Sequence, residues 1–205
     1  FYRAQEKLRL LQLTLERAAE RSRDATYDGD RAARDAYVSI IRSGQKSALF
    51  YALAARSEAR LLTDHGEDSD AAAWSYLRRA EKRLGSGVDP STIEAMRQAR
   101  ALLALSRGET CTEIKETDGD LLARCAVQRG ELASARKTLG GLSTGAEAQR
   151  ALLALAALEM GAGDTEAARG AITKVLQKAP NHLGAQLLSG LVALERGEKV
   201  KLPDS

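Results

Sequence analysis

The sequence predicts an all-α fold for this 205-residue chain, and three observations carry that expectation. Ala, Leu, Glu, Arg and Lys dominate, and all are strong helix formers. Aromatics make up only 4% of the residues, and with few β-branched side chains little of the chain suits a pleated sheet. Apolar-periodic segments are separated by glycine-centred breaks, and only 3 prolines interrupt them, at Pro90, Pro180 and Pro203. The pattern is that of successive antiparallel helix pairs, about ten to eleven helices in all.

The first helix is expected over Phe1–Ala25, where Leu8, Leu11, Leu15 and Ala18 recur every three or four residues and Leu10 and Leu13 widen the stripe. That stripe reads as core, or as a seam between copies of the chain. Asp28-Gly29-Asp30 reads as a break that caps a second helix over 31–43, with Ala33, Tyr37, Ile40 and Ile41 on one side and Gly44 as its stop. A third helix follows over 46–63. The acidic loop DHGEDSD (Asp64 to Asp70) lacks the ligand order of a calcium loop and reads as a solvated cap. A fourth helix over 70–84 carries Trp74, Leu77 and Leu84, and Ala59, Ala73, Leu77 and Ala80 are packing positions. After GSGVDP, Pro90 and Ser91 start a fifth helix, with Glu94 placed to complete a capping box. That helix ends at Arg107-Gly108, before a polar stretch, 109–118, with the weakest helical character in the chain.

Beyond it the rhythm becomes regular. Helices are expected over 120–129, 131–139 (stopped by Gly140-Gly141), 145–160, 164–178 (stopped at Pro180) and 182–196. The breaks read Arg107-Gly108-Glu109, Arg129-Gly130-Glu131, Gly163-Asp164 and Arg196-Gly197-Glu198, with glycines 22, 33 and 34 residues apart. A turn from helix to helix within two or three residues needs a positive φ, which glycine adopts without strain. An acidic residue after it meets the positive end of the next helix.

A helix-turn-helix unit recurring every 34 residues resembles the tetratricopeptide repeat, most specifically over roughly residues 118–198. Leu152 and Leu155 stand where that family has large apolar residues, Ala156 and Ala168 where it has small ones, Ile172 at a large position and Pro180 at the closing proline; Gly190 takes the next small position. Leu122, Ala123, Gly130, Ala135 and Leu139 fit a looser preceding unit. The resemblance implies a right-handed superhelical solenoid: a degenerate part over 1–90, clearer repeats over 91–198 and a tail over 199–205, in one continuous array. It also implies a protein-interaction scaffold whose first helices line a concave groove. The groove residues would be Gln98, Leu102, Asp120, Arg124, Val127, Arg150, Leu153, Met160, Leu187 and Leu191. Such an apolar face with two arginines suits a peptide or helix of a protein partner. Some family members clamp a C-terminal carboxylate with Lys and Asn; Gln98, Leu102, Asp120, Arg124 and Leu153 at those places do not form that clamp. Leu188, Leu191 and Leu194 of the last helix would stay partly exposed, for a further repeat or a partner to cover.

Charge and chemistry narrow the function. The 31 basic and 28 acidic residues are interspersed, as in RAEKR (Arg79 to Arg83), giving a net +3. That is a solvated helical surface rather than the basic excess of a nucleic-acid binder. Arg78, Arg79, Lys82 and Arg83 with Arg97 and Arg100 form one basic surface that keeps the nucleic-acid reading as an alternative, but no aromatics are interleaved for base stacking. The longest apolar run, Ala151 to Leu158, falls well short of the roughly 18 residues of a membrane span. The chain begins at Phe1 rather than Met, which reads as a fragment or processed form, so any membrane association would come through an anchor ahead of it. The 2 histidines, His65 and His182, fall at loops or helix starts, and no HExxH, paired CxxC or phosphate-loop motif is present. No cofactor, metal or catalytic residue is assigned, and a non-enzymatic adaptor is the leading expectation; self-association through helix ends is a further alternative.

Cys111 and Cys125, the only 2 cysteines, are 14 residues apart across the irregular step. Either they form a disulfide, worth roughly 3 kcal/mol for such a loop and indicating an oxidising compartment, or they pack as buried thiols. The Ala-, Arg- and Gly-rich composition resembles that of a bacterial protein from a GC-rich genome. A periplasmic or envelope location, within a pilus, secretion or motility assembly, accompanies the disulfide reading; a cytoplasmic one accompanies the thiols.

Overall fold

A computed structural model of the chain describes residues 2–67, 70–109, 119–144 and 148–198. Among these residues there are ten helices and no strand. They fall into two compact units, Phe1–Lys115 and Glu116–Ser205. The fifth helix is packed into the first unit, against the third.

The first unit holds α1 (Tyr2–Arg23), α2 (Tyr27–Arg42), α3 (Ala48–His65), α4 (Ala71–Glu81) and α5 (Pro90–Ser106). Helix α1 packs on α2, α2 on α3, and α3 on both α4 and α5. A helix with several neighbours must be apolar over more than one stripe. Accordingly α3 buries Phe50, Tyr51, Ala52, Ala54, Ala55, Ala59 and Leu61, most of them small enough for close approach. Ala59, Ala73, Leu77 and Ala80 are all buried, as the sequence suggests. In α1, Ala18 is buried, Leu11 and Leu15 are half-buried and Leu10 is exposed; the side chain of Leu8 lies outside the described residues.

Several boundaries differ from the sequence reading. Asp28-Gly29-Asp30 is not a break: Thr26 is the N-cap of α2, its hydroxyl accepting from the Gly29 N–H at 3.0 Å, so the triplet is the helix's first turn. Gly29 is there for space, since a Cβ would stand 2.3 Å from the Arg21 carbonyl oxygen at the end of α1. Helix α4 stops at Glu81, leaving Leu84 in the following turn and exposed, because the Arg83 and Leu84 N–H groups tighten onto the carbonyls of Ala80 and Glu81. Asp89, not Ser91, caps α5: Pro90 occupies the first helical position, and the Asp89 carboxylate accepts from the Ser91 N–H at 2.9 Å.

The second unit holds α6 (Gly119–Gln128), α7 (Leu132–Leu142), α8 (Ala148–Gly161), α9 (Thr165–Lys178) and α10 (Leu183–Glu195). Helix α6 packs on α7 and α8, α7 on α8, α8 on α9 and α10, and α9 on α10. One apolar cluster, Ala123, Ala126, Ala135, Leu139, Ala151 and Leu158, joins α6, α7 and α8. A second, which includes Leu152, Ala156, Ala168, Ile172, Val175, Ala185 and Val192, joins α8, α9 and α10. The contacts thus repeat: each pair is closed by the first helix of the next. Gly140-Gly141 does not stop α7. The helix runs on to Leu142, whose side chain sits where a Cβ on Gly119 of α6 would be, 2.6 Å away. Residues 110–118 and 145–147, expected as a polar stretch and a helix start, lie outside the described residues.

The turn glycines fulfil their expectation. Gly108, Gly130, Gly163 and Gly197 have φ of 69, 78, 79 and 70°. In each case the glycine N–H bonds to the carbonyl three residues back and the next N–H to the carbonyl five back, as Gly130 to Val127 and Glu131 to Ala126. The flanking charges close the same turns: Arg129 to Glu131 at 2.9 Å and Arg196 to Glu198 at 2.6 Å. Asp164 instead caps α9, accepting from the Ala167 N–H at 2.9 Å.

Candidate functional site

The turn glycines give every first helix a common register. Ten, six and three residues before the glycine stand Asp120, Arg124 and Val127 on α6; Leu153, Ala157 and Met160 on α8; and Leu187, Leu191 and Leu194 on α10. The offsets fall on one helical face. The sequence-derived groove residues of the second unit belong to this face, with the exception of Arg150.

The face changes along the unit. On α6 it is polar and held: Arg124 Nε donates to Asp120 Oδ1 at 3.2 Å, both largely covered, while Val127 is exposed. On α8, Leu153 and Met160 are half-buried against the cluster to which α10 contributes Ala185 and Val192. On α10 it is open and apolar. Leu187, Leu191 and Leu194 are 51, 50 and 61% exposed, and Leu183, at 58%, extends the row by one turn. Helical geometry places the four leucines within an arc of about 80° along about 16 Å of helix. The opposite side of α10 is anchored by buried Ala185 and Val192 and half-buried Leu188. Its first turn is fixed by His182, whose Nδ1 accepts from the Ala185 N–H at 3.3 Å, and its end is tied to α9 by the Arg196–Glu166 ion pair. The leucines are therefore set on a rigid element.

Two of the expected groove residues are not open to a partner. Leu102 is 2% exposed because that side of α5 packs on α3, where its carbonyl accepts from Thr63 Oγ1 at 3.1 Å. Arg150 is 3% exposed; it precedes Ala151, which sits in the cluster between α6, α7 and α8. Gln98 is half-buried and held on both sides, accepting from Arg56 Nη1 and donating to Glu94 Oε1, each at 3.1 Å. Of Leu188, Leu191 and Leu194, expected to be partly exposed, Leu188 is the most covered. Cys125 is buried in α6 and is not a free thiol; Cys111 lies outside the described residues.

One polar cluster has no counterpart in the sequence reading. Asp30, fully buried at the start of α2, accepts from Ser22 Oγ at 2.6 Å and meets His65 Nε2 at 3.0 Å. Arg60 Nη1 donates to Ser22 Oγ at 3.2 Å, and Tyr27 stands edge-on to His65. His65 is thus in the last turn of α3, not in the loop, and it pins three helix ends together. Ser22 faces Asp30 rather than His65, so the group is not arranged to activate a nucleophile. The only signal for it was the pair of acidic residues flanking Gly29.

Electrostatically, the perturbed groups are paired ones. The Arg107 guanidinium lowers the Asp70 carboxyl below its ordinary range and Arg129 does the same to Glu131, while burial pushes Glu58 up against the opposing pull of Arg34. Among the described residues, none of these shifted groups lies on the α6–α8–α10 face.

No family model matches this chain, and neither a curated protein nor a solved structure matches it closely.

Proposed function

We propose that this chain is a non-enzymatic protein-interaction adaptor that holds a peptide or helix of a partner protein against the face built by α6, α8 and α10. The observation that carries the reading is the row of half-exposed leucines on α10, set in register with Leu153 and Met160. Four such leucines present roughly 400 Å² of apolar surface, the size of patch that on a monomer commonly marks a binding site. The alternating helix contacts and repeated glycine turns support a tetratricopeptide-like arrangement, a right-handed superhelical array whose first helices line the recognition surface. Function follows from such a fold by analogy. An envelope location within a bacterial assembly belongs to the same reading and rests on a Cys111–Cys125 disulfide in an oxidising compartment.

The reading is tested by capture from an extract of the source organism, with wild type beside a Leu187→Glu, Leu191→Glu double variant of unchanged helical circular dichroism. A protein retained by the wild type and lost by the variant supports it. Retention of the same proteins by both removes the α10 face from the account.

A further inference from the structure

The C-terminal end of α4, in the first unit, carries four cations within six residues: Arg78, Arg79, Lys82 and Arg83. All four are exposed. The Lys82 N–H still bonds to the Arg78 carbonyl, so helical geometry holds to the end of the group. It stacks Arg78 with Lys82 and Arg79 with Arg83, within an arc of about 140°. The buried residues of α4, Ala73, Leu77 and Ala80, lie on the opposite side.

The carboxylates nearby are committed elsewhere. Glu81 turns toward α5 and pairs with Arg100 at 2.6 Å, Glu94 pairs with Arg97 and Asp70 with Arg107. Asp89 caps α5, and Glu58 of α3 faces Arg34 of α2. Arg83 lies over the Tyr51 ring, 4.7 Å from its centroid, which sets the end of α4 beside the start of α3. There exposed Lys46 precedes the N-cap Ser47, and the first turn of α3 holds no acidic residue. A helix dipole favours cations in its own last turn, but this excess extends to the neighbouring helix end and makes an electropositive corner. Leu84, directly after Arg83, is 38% exposed beside it.

We propose that this corner seats the first unit on the surface of an anionic lipid bilayer. The cations meet headgroup phosphates, and Leu84 enters the boundary between headgroups and acyl chains. The proposal goes beyond the adaptor reading and does not depend on it. Clusters of about four to eight Lys and Arg on an amphipathic helix suit anionic lipid. Leu84 favours a bilayer over nucleic acid, because a phosphate backbone has no use for an exposed apolar side chain. The aromatic rings at the edge of the corner do not serve base stacking either. Tyr51 is buried, and Tyr76 is half-buried with its ring centroid 6.3 Å from that of Tyr51.

The test is co-sedimentation of the full chain with phosphatidylcholine vesicles, with and without phosphatidylglycerol. Binding should require the anionic lipid and weaken as salt is raised. A triple variant, Arg78→Gln, Arg79→Gln and Lys82→Gln, should bind about tenfold or more weakly. It leaves Arg83 on Tyr51, and unchanged helical circular dichroism confirms its fold. A control with the same net charge, Lys137→Gln, Lys174→Gln and Lys178→Gln in the second unit, should bind as wild type does. Leu84→Ser should weaken vesicle binding about threefold or more through lost apolar burial. Absence of binding to the anionic vesicles overturns the proposal, as does equal loss in the triple variant and its control. So does tighter binding to a mixed-sequence DNA duplex, lost in the triple variant and indifferent to Leu84→Ser, which makes nucleic acid the occupant.

Discussion

The residues of greatest structural consequence in the first unit are those that close gaps between helix ends. Gly29 stands where any Cβ would meet the Arg21 carbonyl oxygen at 2.3 Å, backbone that cannot yield without moving α1. Gly29→Ala should therefore destabilise the protein by about 2 kcal/mol, the typical cost of overpacking, seen as a lower urea midpoint at unchanged slope. Asp30 is buried between Ser22 and His65. Asp30→Ala removes the buried partner that Ser22 Oγ and His65 Nε2 share, and a loss of about 3 kcal/mol is expected by the same measurement. Glu58 supplies a pH dependence. Burial raises its carboxyl above the ordinary value although Arg34 opposes it. A raised folded-state value means that the folded protein binds the proton more tightly than the unfolded chain, so this group costs stability as pH rises through the interval between the two values. In Glu58→Gln that cost is absent. The melting temperature of the variant minus that of the wild type should therefore increase from about pH 4 to about pH 7.

At the scale of elements, glycine divides into two kinds that respond oppositely to the same substitution. Gly163 turns the chain from α8 to α9 with a φ of 79°, and Gly163→Ala should cost about 1 kcal/mol through left-handed strain alone. Gly140 lies inside α7, exposed, with nothing within 4 Å of the added Cβ, and Gly140→Ala should stabilise by roughly 0.5–1 kcal/mol. Thermal melts of the two variants check both signs. The contrast also shows what the sequence could and could not convey. Arg-Gly-Glu at three turns was legible because helix reversal in so few residues requires a residue tolerant of positive φ. Gly140-Gly141 carries the same local signal, yet the Leu142 contact with α6 draws α7 onward, and such tertiary contacts leave no mark in the nearby sequence. Thr26 and Asp89 took the caps from Asp28 and Ser91 for a similar reason: several capping residues stood side by side, and the packing of α2 and α5 selected one. On the candidate face, spacing alone placed Leu187 and Leu191 on the open side of α10. It could not tell that Leu102 and Arg150 were buried; for Leu102 the covering helix, α3, lies elsewhere in the chain.

For the molecule as a whole, the central claim is that the face spanning α6, α8 and α10 receives a protein segment, with its most open part on α10. Helix packing in the second unit uses up the Ala/Val side of α10 and leaves its leucine side at half exposure. Burying such a row gains apolar free energy of about 25 cal/mol per Å², so a matched segment has a clear driving force to cover it. The most direct measurement replaces Leu187 with a photo-crosslinking amino acid, places the same group at exposed Lys174 of α9 in a second protein, and irradiates both in extract of the source organism. The account predicts one discrete protein adduct from position 187 and none of that mass from position 174. The same adduct from both positions, or one from 174 alone, would contradict it.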